Sequence, residues 1–387
     1  MSFQPYFETV RVAAGHTGYR SCVACVICLF SLVLLGGCAT EPGILFPQAA
    51  TMPAWPPPPE TARIVWVGQL MTDRDLKPGV NGMEAVGQAI FGKHDPRAMG
   101  SPYALCTDGG KDGGRLFVAD SNAHVVHMFD LATRKYQTWK PGKKAPPLNI
   151  PVGVAWDAGP AETSGAGAGD QNGRLLVSDS AAGVIFVFDS TGKYIGQLGA
   201  GILQRPCGLA LEPGTRRIVI ADAKAHQIVV LDPDGREVAR IGSRGTRLGE
   251  FNFPTTVAFD TQGQLFVCDT LNFRVQQFDR AYKPVRIVGK KGDMPGYFAQ
   301  PKAIALDAED HLYVLDSQFE NVQLFDSQGR PLMDFGEEGS GPGQFWLPTG
   351  IFIERGAAGT ARIWLADSFN GRIQVFDYKP APTEVQR

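Results

Sequence analysis

Residues 251–292 have the sequence FNFPTTVAFDTQGQLFVCDTLNFRVQQFDRAYKPVRIVGKKG. The stretch contains four short apolar runs, at 256–259, 265–268, 275–278 and 285–288, and polar or glycine-containing turns separate them. Short runs of β-branched and aromatic residues, with a turn about every ten residues, are typical of consecutive antiparallel strands. The stretch therefore predicts a four-stranded antiparallel sheet.

The same pattern recurs six times along the chain, and two aspartates ten residues apart mark each copy. The first aspartates, each at the end of an apolar run, are Asp120, Asp179, Asp222, Asp269, Asp316 and Asp367. The second aspartates, at the end of the next run, are Asp130, Asp189, Asp232, Asp279, Asp326 and Asp377. Four strands in about 40–50 residues is the period of a β-propeller blade. Because one blade cannot bury both of its faces, we expect an all-β, six-bladed β-propeller.

The repeated aspartates have two interpretations. Six symmetric carboxylates could form a ring of cation ligands, but the residues around them differ from copy to copy. An Asp at a strand end commonly accepts hydrogen bonds from the backbone of the next turn. We therefore expect these aspartates to fix turns.

Three connectors between repeats share the pattern G-x-x-G-x-x-x-G-x-F-x-x-P, beginning at Gly242, Gly289 and Gly336. Glycine supplies a positive φ in such a tight crossover. We expect the phenylalanine of each connector to pack between neighbouring blades. We expect the proline to begin the first strand of the next blade.

The sixth copy ends after its third apolar run, and the tail at 379–387 contains no further run. Without a fourth strand this blade would keep an open edge. Residues 63–68 (RIVWVG) are similar to the fourth strand of other copies. We therefore predict a propeller at 63–378 that the N-terminal strand at 63–68 closes, with an insertion at 69–100.

Three stretches carry a resemblance to a known repeat family: IADAKAHQIVVLD at 220–232, VCDTLNFRVQQFD at 267–279 and LADSFNGRIQVFD at 365–377. These runs resemble the NHL repeat, and the resemblance extends over about 101–378. It implies a six-bladed NHL-type β-propeller. It leaves the function open, since NHL propellers include lyases, protein-binding modules, RNA binders and sensor domains.

The N-terminus predicts export and membrane attachment. An apolar stretch at 21–35 follows Arg11 and Arg20 and ends in the sequence LGGC at 35–38. This arrangement is typical of a secretory signal, and LGGC resembles a bacterial lipobox. We expect removal of residues 1–37 and lipidation of Cys38. The alternative is an uncleaved anchor helix, for which the apolar run is short.

Residues 38–62 predict a Pro-rich tether between the lipid and the propeller. Thr40 stands where an Asp would signal inner-membrane retention, so the resemblance to lipoproteins implies an extracytoplasmic protein on the outer membrane. Without Arg11, Arg20 and Glu8, the 37 basic and 39 acidic residues become 35 and 38, a net charge of −3. This balance predicts no nucleic-acid partner.

The residue after each proline is expected to lie at one mouth of the central channel. These six residues are Tyr103, Val152, Cys207, Thr255, Lys302 and Thr349. NHL-like amidating lyases place zinc-binding histidines at comparable positions, and gluconolactonase-type propellers need sets of Glu, Asn and Asp. None of the six residues is His, and no such set can be assembled. His124 and His226 are expected to be turn residues, and we predict no catalytic residue, metal or cofactor.

Loops after the second strands of blades four to six carry aromatic residues and arginines. Together with the channel mouth they form the predicted binding face: Tyr103, Asn272, Phe273, Arg274, Lys302, Phe319, Phe369 and Arg372. Protein interfaces favour these residue types, although part of the set is expected to pack between blades. We expect a membrane-tethered scaffold or sensor that binds an envelope protein or a small ligand. The alternative is a propeller lyase or lactonase with a site around Tyr103, Lys302 and Asp316.

Overall fold

The protein is described by a computed structural model, in which the chain divides into two compact units. One consists of Met1–Gly43 with Pro78–Asp95, and the other of Ile44–Lys77 with Pro96–Arg387. The residues that the structure describes are 41–46, 52–80, 83, 90–92, 95–110, 114–160 and 173–380. The predicted signal peptide at 1–37 and the lipidation site Cys38 lie outside these ranges. Among the described residues, no helix is long and apolar enough to span a membrane.

The second unit is the predicted six-bladed β-propeller, and its fold class is confirmed. Blades one to five are antiparallel sheets with four strands in sequential order, the first innermost, whereas blade six takes its outer strands from the N-terminal part of the chain. Blade one consists of Pro102–Thr107, Arg115–Asp120, Val125–Asp130 and Lys135–Trp139. Blade two consists of Pro151–Asp157, Arg174–Asp179, Val184–Asp189 and Tyr194–Leu198. Blade three consists of Pro206–Leu211, Ile218–Asp222, Gln227–Leu231 and Glu237–Ile241. Blade four consists of Pro254–Phe259, Leu265–Asp269, Arg274–Phe278 and Pro284–Val288. Blade five consists of Pro301–Leu306, Leu312–Asp316, Asn321–Phe325 and Pro331–Phe335. Blade six consists of Gly350–Arg355, Ala361–Asp367, Arg372–Tyr378 and Ile64–Leu70.

The first strands form a closed ring around the axis. Each contacts the first strand of the next blade, and Gly350–Arg355 contacts Pro102–Thr107. Close approach between neighbours depends on small residues, because a Cβ on Gly153, Gly208 or Gly350 would collide with the backbone of the adjacent strand. These glycines therefore allow the neighbouring first strands to approach one another closely around the central channel.

The connector phenylalanines pack between blades as predicted. Phe251, Phe298 and Phe345 are fully buried in clusters that combine residues of two neighbouring blades. Gly289, with φ +78°, begins the connector of Phe298, and a Cβ there would collide with the phenyl ring. The glycine is therefore needed both for its backbone conformation and for the space that the ring occupies.

The two ends of the propeller meet in blade six. Ile64–Leu70 pairs antiparallel with Arg372–Tyr378, in a register from Ile64 opposite Tyr378 to Leu70 opposite Ile373. Ala54–Trp55 adds a fifth strand on Ile64–Leu70. The ring of Trp55 lies 5.9 Å from that of Phe335 and 6.0 Å from that of Phe376. This part of the predicted tether at 38–62 therefore packs on the propeller.

The remaining regular elements are short. Within the predicted insertion at 69–100, a 3-10 helix at Asp73–Leu76 begins at Thr72, whose side chain caps it. Two further 3-10 helices span Thr270–Asn272 and Ala357–Gly359. Glu337–Glu338 pairs in parallel with Gln344–Phe345 inside the connector to blade six.

Candidate binding face and central channel

Strand pairing divides the propeller into two faces. Pro254 lies opposite Asp269, and Val275 lies opposite Val288. The starts of the first strands, the turns between second and third strands, and the connectors between blades therefore share one side, which we call the connector face. The other side, which we call the turn face, carries the turns between first and second and between third and fourth strands.

The first aspartate of each repeat is fully buried and fixes the backbone of the connector face. Asp316 accepts backbone N–H groups of Gln318 and Phe319 in the next turn, which confirms the predicted role. It also accepts those of Ala299 and Gln300, just before the first strand, at 2.8 and 2.9 Å. These bonds orient its carboxylate toward the backbone, where it holds two segments together.

Three members of the predicted binding face stabilise the fold instead of facing solvent. Arg274 is buried, bonds Asp269 Oδ2 at 2.8 Å and donates to the carbonyl groups of Thr246, Arg247 and Glu250. Asn272 donates to the Gly245 carbonyl and to Asp269.

Arg372 repeats this arrangement in blade six, where it bonds Asp367 at 2.7 Å and the carbonyl groups of Gly341 and Gln344. It too is buried. Because a buried Arg must satisfy its donors internally, Arg274 and Arg372 hold the glycine-rich connectors and cannot contact a partner.

The phenylalanines of the predicted binding face differ in exposure. Phe273 and Phe319 are half-buried, and Lys291 Nζ lies 5.0 Å above the ring of Phe273. Phe369 is 63% exposed and pairs with Trp346, which is 51% exposed, at 5.6 Å between ring centroids. Sequence reasoning missed Trp346, although it occupies the connector position of Asn252 and Ala299, where the other copies carry no aromatic ring.

The central channel is a cavity of about 420 Å³, and all six predicted mouth residues line it. Its walls between the two ends are largely aliphatic, with side chains such as Val154, Leu209, Val257, Ile304 and Ile351. Tyr103 and Lys302 of the predicted binding face thus lie in the channel, whereas Phe273, Phe319 and Phe369 lie outside its lining.

Lys302 is the charged group of the channel mouth. Its Nζ lies 5.4 Å from the centroid of the Tyr103 ring. Burial alone would lower the pKa of Lys302, but the neighbouring Tyr103 outweighs it and raises the pKa above its usual value. The amine therefore remains an ammonium at neutral pH.

The three thiols among the described residues offer no ionised nucleophile. Cys106 and Cys268 are buried, and Cys207 lies half-buried at the channel mouth. Burial raises the pKa of Cys268 to about 11 and also raises the pKa values of Cys106 and Cys207. Because the thiolate is the reactive form, these residues are chemically inert at neutral pH.

The histidines in the described part of the chain lie outside the channel lining. His124 and His226 have φ of +55° in turns, as predicted. Sequence reasoning missed His127, which is buried and bonds Asp120 Oδ2 at 3.0 Å and the Tyr136 hydroxyl at 2.7 Å. It stands seven residues after the repeat aspartate, where blades four to six carry Gln276, Gln323 and Gln374.

One group among the described residues brings three potential metal ligands together: Asp307, Glu309 and His311 on the turn face. Asp307 Oδ1 accepts the backbone N–H groups of Glu309 and His311, and Oδ2 lies 2.9 Å from His311 Nδ1. The Tyr313 hydroxyl also donates to Oδ2, at 3.1 Å. The hydrogen bonds of a turn therefore account for this cluster.

The strand order and the buried repeat network define a six-bladed β-propeller. Residues 251–278, in blade four, match the NHL repeat family. This match confirms the family resemblance found in the sequence.

Comparison with known proteins supports the fold. The chain is 26% identical over 129 residues to the protein brain tumor of Drosophila melanogaster; the match covers 33% of this chain and 11% of that protein. The chain thus spans about a tenth of the length of this curated relative.

Two solved structures share the architecture. An auxiliary nutrient binding protein from Bacteroides ovatus superimposes with a TM-score of 0.53 at 13% identity, covering 73% of this chain and 70% of that one. A gluconolactonase from Xanthomonas campestris gives 0.50 at 15% identity, covering 73% and 87%. At these identities the likeness shows the propeller fold.

Proposed function

We propose that the protein is a membrane-tethered extracytoplasmic module that binds an envelope protein or ligand on the connector face of its propeller. The observation that carries this proposal is the exposed pair Trp346 and Phe369. Exposed aromatic side chains leave apolar surface in contact with water. Such residues often supply most of the binding energy when a partner buries them.

The two faces differ in a way that favours this assignment. Among the described residues of the propeller, the exposed Phe and Trp side chains are those of Phe369 and Trp346, both on the connector face. Met294, 62% exposed, and Leu271 lie on the same face. The turn face is built mainly from aspartate-stabilised turns, such as Asp260 with Gln262 and Gln264.

Binding is favoured over the lyase or lactonase alternative by the chemistry of the mouth. Asp316, which that alternative required, bonds the backbone and does not line the channel. The hydroxyl groups of Thr255 and Thr349 donate to the carbonyl groups of Lys302 and Tyr103. What remains at the mouth is an ammonium group, a phenol and a neutral thiol, which are recognition groups.

The tether is supported by the sequence of the N-terminus, where LGGC at 35–38 follows an apolar stretch. Palmitate labelling of the wild type against Cys38→Ala tests it. We expect label on the wild type and none on the variant. Equal labelling would overturn the lipoprotein assignment.

The binding face is tested by crosslinking in native membranes with the variant Trp346→Ser/Phe369→Ser. Both side chains are more than half exposed, so the variant should fold. We expect loss of most partner crosslinks, since one well-packed aromatic anchor is worth about 2 kcal/mol or more. The matched control is Ile195→Ser/Leu332→Ser, which changes two side chains of similar exposure (54% and 52%) on outermost strands. Crosslinks that persist in the first variant but disappear in the control would refute the assignment.

A further inference from the structure

The two ends of the central channel differ in the charged residues that line them. The charged residues among those that line it are Lys302, Asp260 and Arg355. Asp260 and Arg355 both lie toward the turn face, at the far ends of their first strands. Arg355 donates to the carbonyl groups of Phe259 and Leu306, and its charge acts on Asp260. That end of the channel therefore carries one charge of each sign among the lining residues.

At the connector face, Lys302 has no counter-ion among the lining residues. Its neighbours are the Tyr103 ring, 5.4 Å from Nζ, and the Cys207 thiol, whose pKa is raised by burial. The threonine hydroxyls beside it are committed to the backbone. The ammonium of Lys302 is paired with no carboxylate among the lining residues at this end, so the mouth is complementary to a ligand that brings one negative charge.

The channel behind Lys302 is complementary to an apolar body. Its volume of about 420 Å³ lies within the range of small-molecule sites, about 300–1,000 Å³. Aliphatic side chains of all the first strands form its walls. The mouth residues Tyr103, Cys207 and Lys302 are half-buried, so solvent reaches the site from the connector face.

The donor set favours a carboxylate. A phosphate monoester brings up to about two negative charges and three acceptor oxygens. The connector-face mouth offers a single cation, Lys302, among its lining residues. One ammonium with one phenol matches a small monoanionic head group.

We propose that the central channel binds a small amphiphilic monocarboxylate, with its head group on Lys302 and Tyr103 and its apolar body along the aliphatic walls. This inference rests on the proposed binding function and assigns a ligand class to the mouth of the connector face. Lys302 supplies the charge that selects the head group, and the walls select chain length.

Isothermal titration calorimetry of the purified full-length protein tests both parts, with butanoate, hexanoate, hexanamide and hexyl phosphate as probes. Hexanoate should bind about tenfold or more tightly than hexanamide, because a charge-assisted hydrogen bond is lost with the amide. Butanoate should bind about 16-fold more weakly than hexanoate, since each buried methylene adds about fourfold. Hexyl phosphate should bind more weakly than hexanoate.

Two substitutions of the lysine sharpen the test. Lys302→Met should reduce the affinity for hexanoate to that for hexanamide and leave the affinity for hexanamide unchanged. Lys302→Arg should retain most of the affinity for hexanoate. Lys291→Met, which removes a charge from the same face outside the channel lining, should change neither. Unaltered melting temperatures establish that the variants are folded.

Absence of hexanoate binding to the wild type would overturn the proposal, as would equal affinity for hexanoate and hexanamide. Tighter binding of hexyl phosphate, or an unchanged hexanoate affinity in Lys302→Met, would overturn it too. If hexanoate fails while Trp346→Ser/Phe369→Ser still abolishes crosslinks, only the ligand class is wrong. If hexanoate binds while those crosslinks persist, the protein-binding part of the proposed function is wrong.

Discussion

Blades four and six fix their connectors with side chains that blade two lacks. In blade four, buried Asp269 binds Arg274 and Gln276, and both also bind the Glu250 carbonyl of the connector. In blade two, Asp179 holds only backbone N–H groups, such as those of Asn149 and Ile150. Phe186 stands at the position of the glutamine.

This difference separates two tasks that the repeat combines. The aspartate alone fixes the turn and the segment before the first strand, since all six blades retain it. In blades four and six the arginine and glutamine hold the glycine-rich connector, whereas in blade five Asn321 replaces the arginine and Gln323 alone of the two positions holds it. Blade four, where the whole set is present, contains the stretch that matches the NHL repeat.

The largest expected effect comes from Arg274→Met in blade four. The change leaves Asp269 buried without its cation and frees three connector carbonyl groups. Breaking such a pair from one side costs about 3–5 kcal/mol. Urea unfolding should show this loss of stability.

The matched change in blade three is Gln227→Met, because Gln227 stands at the position of Arg274 and donates only to the Gly242 carbonyl at 3.1 Å. It should cost about 1 kcal/mol or less. Equal losses in the two variants would show that the network of blade four does not carry the stability assigned to it.

A smaller effect is expected from Gly289→Ala in the regular connector before blade five. The residue has φ +78°, and a Cβ would collide with the ring of Phe298. Strain in the left-handed region and the clash together should cost about 2 kcal/mol. The control is Gly142→Ala in the irregular connector between blades one and two, where a Cβ meets nothing. If thermal unfolding shows no difference between them, the role assigned to the connector glycine is wrong.

The smallest effect concerns blade one, where His127 replaces the glutamine. Burial of Asp120 raises its pKa, but the hydrogen bond of His127 and three backbone N–H groups lower it to about 2. The folded pKa lies below the usual value of 3.8. Asp120 therefore contributes stability that is present above that value and lost as pH falls through about 2.

His127→Gln converts blade one to the arrangement of blades four to six. An amide N–H is a weaker hydrogen-bond donor than an imidazole N–H, so the pKa of Asp120 should rise toward 3.8. The free energy of unfolding, measured between pH 4 and 2, should then fall less steeply with acid than in the wild type. An identical slope would remove His127 as the cause of the low pKa of Asp120.

Sequence alone was enough to predict the ring, because the spacing of the aspartates and the connector phenylalanines reflects contacts that every blade repeats. The mouth residues Tyr103 and Lys302 followed from the same register. Arg274 and Arg372 were harder to place, since the buried position of an arginine depends on connector carbonyl groups that are remote in sequence. Trp346 and His127 depart from the repeat at single positions, and their roles depend on neighbours from other strands.

Hydrogen exchange of the full-length protein, with and without a detergent extract of the native membranes, tests the binding face most directly. The account predicts slower exchange in the connectors at 242–253, 289–300 and 336–349 and in the turn at 369–371. The turns at 260–264, 279–283 and 326–330 should exchange at unchanged rates. Protection confined to these turn-face segments, with unaltered connectors, would contradict the assignment of the connector face.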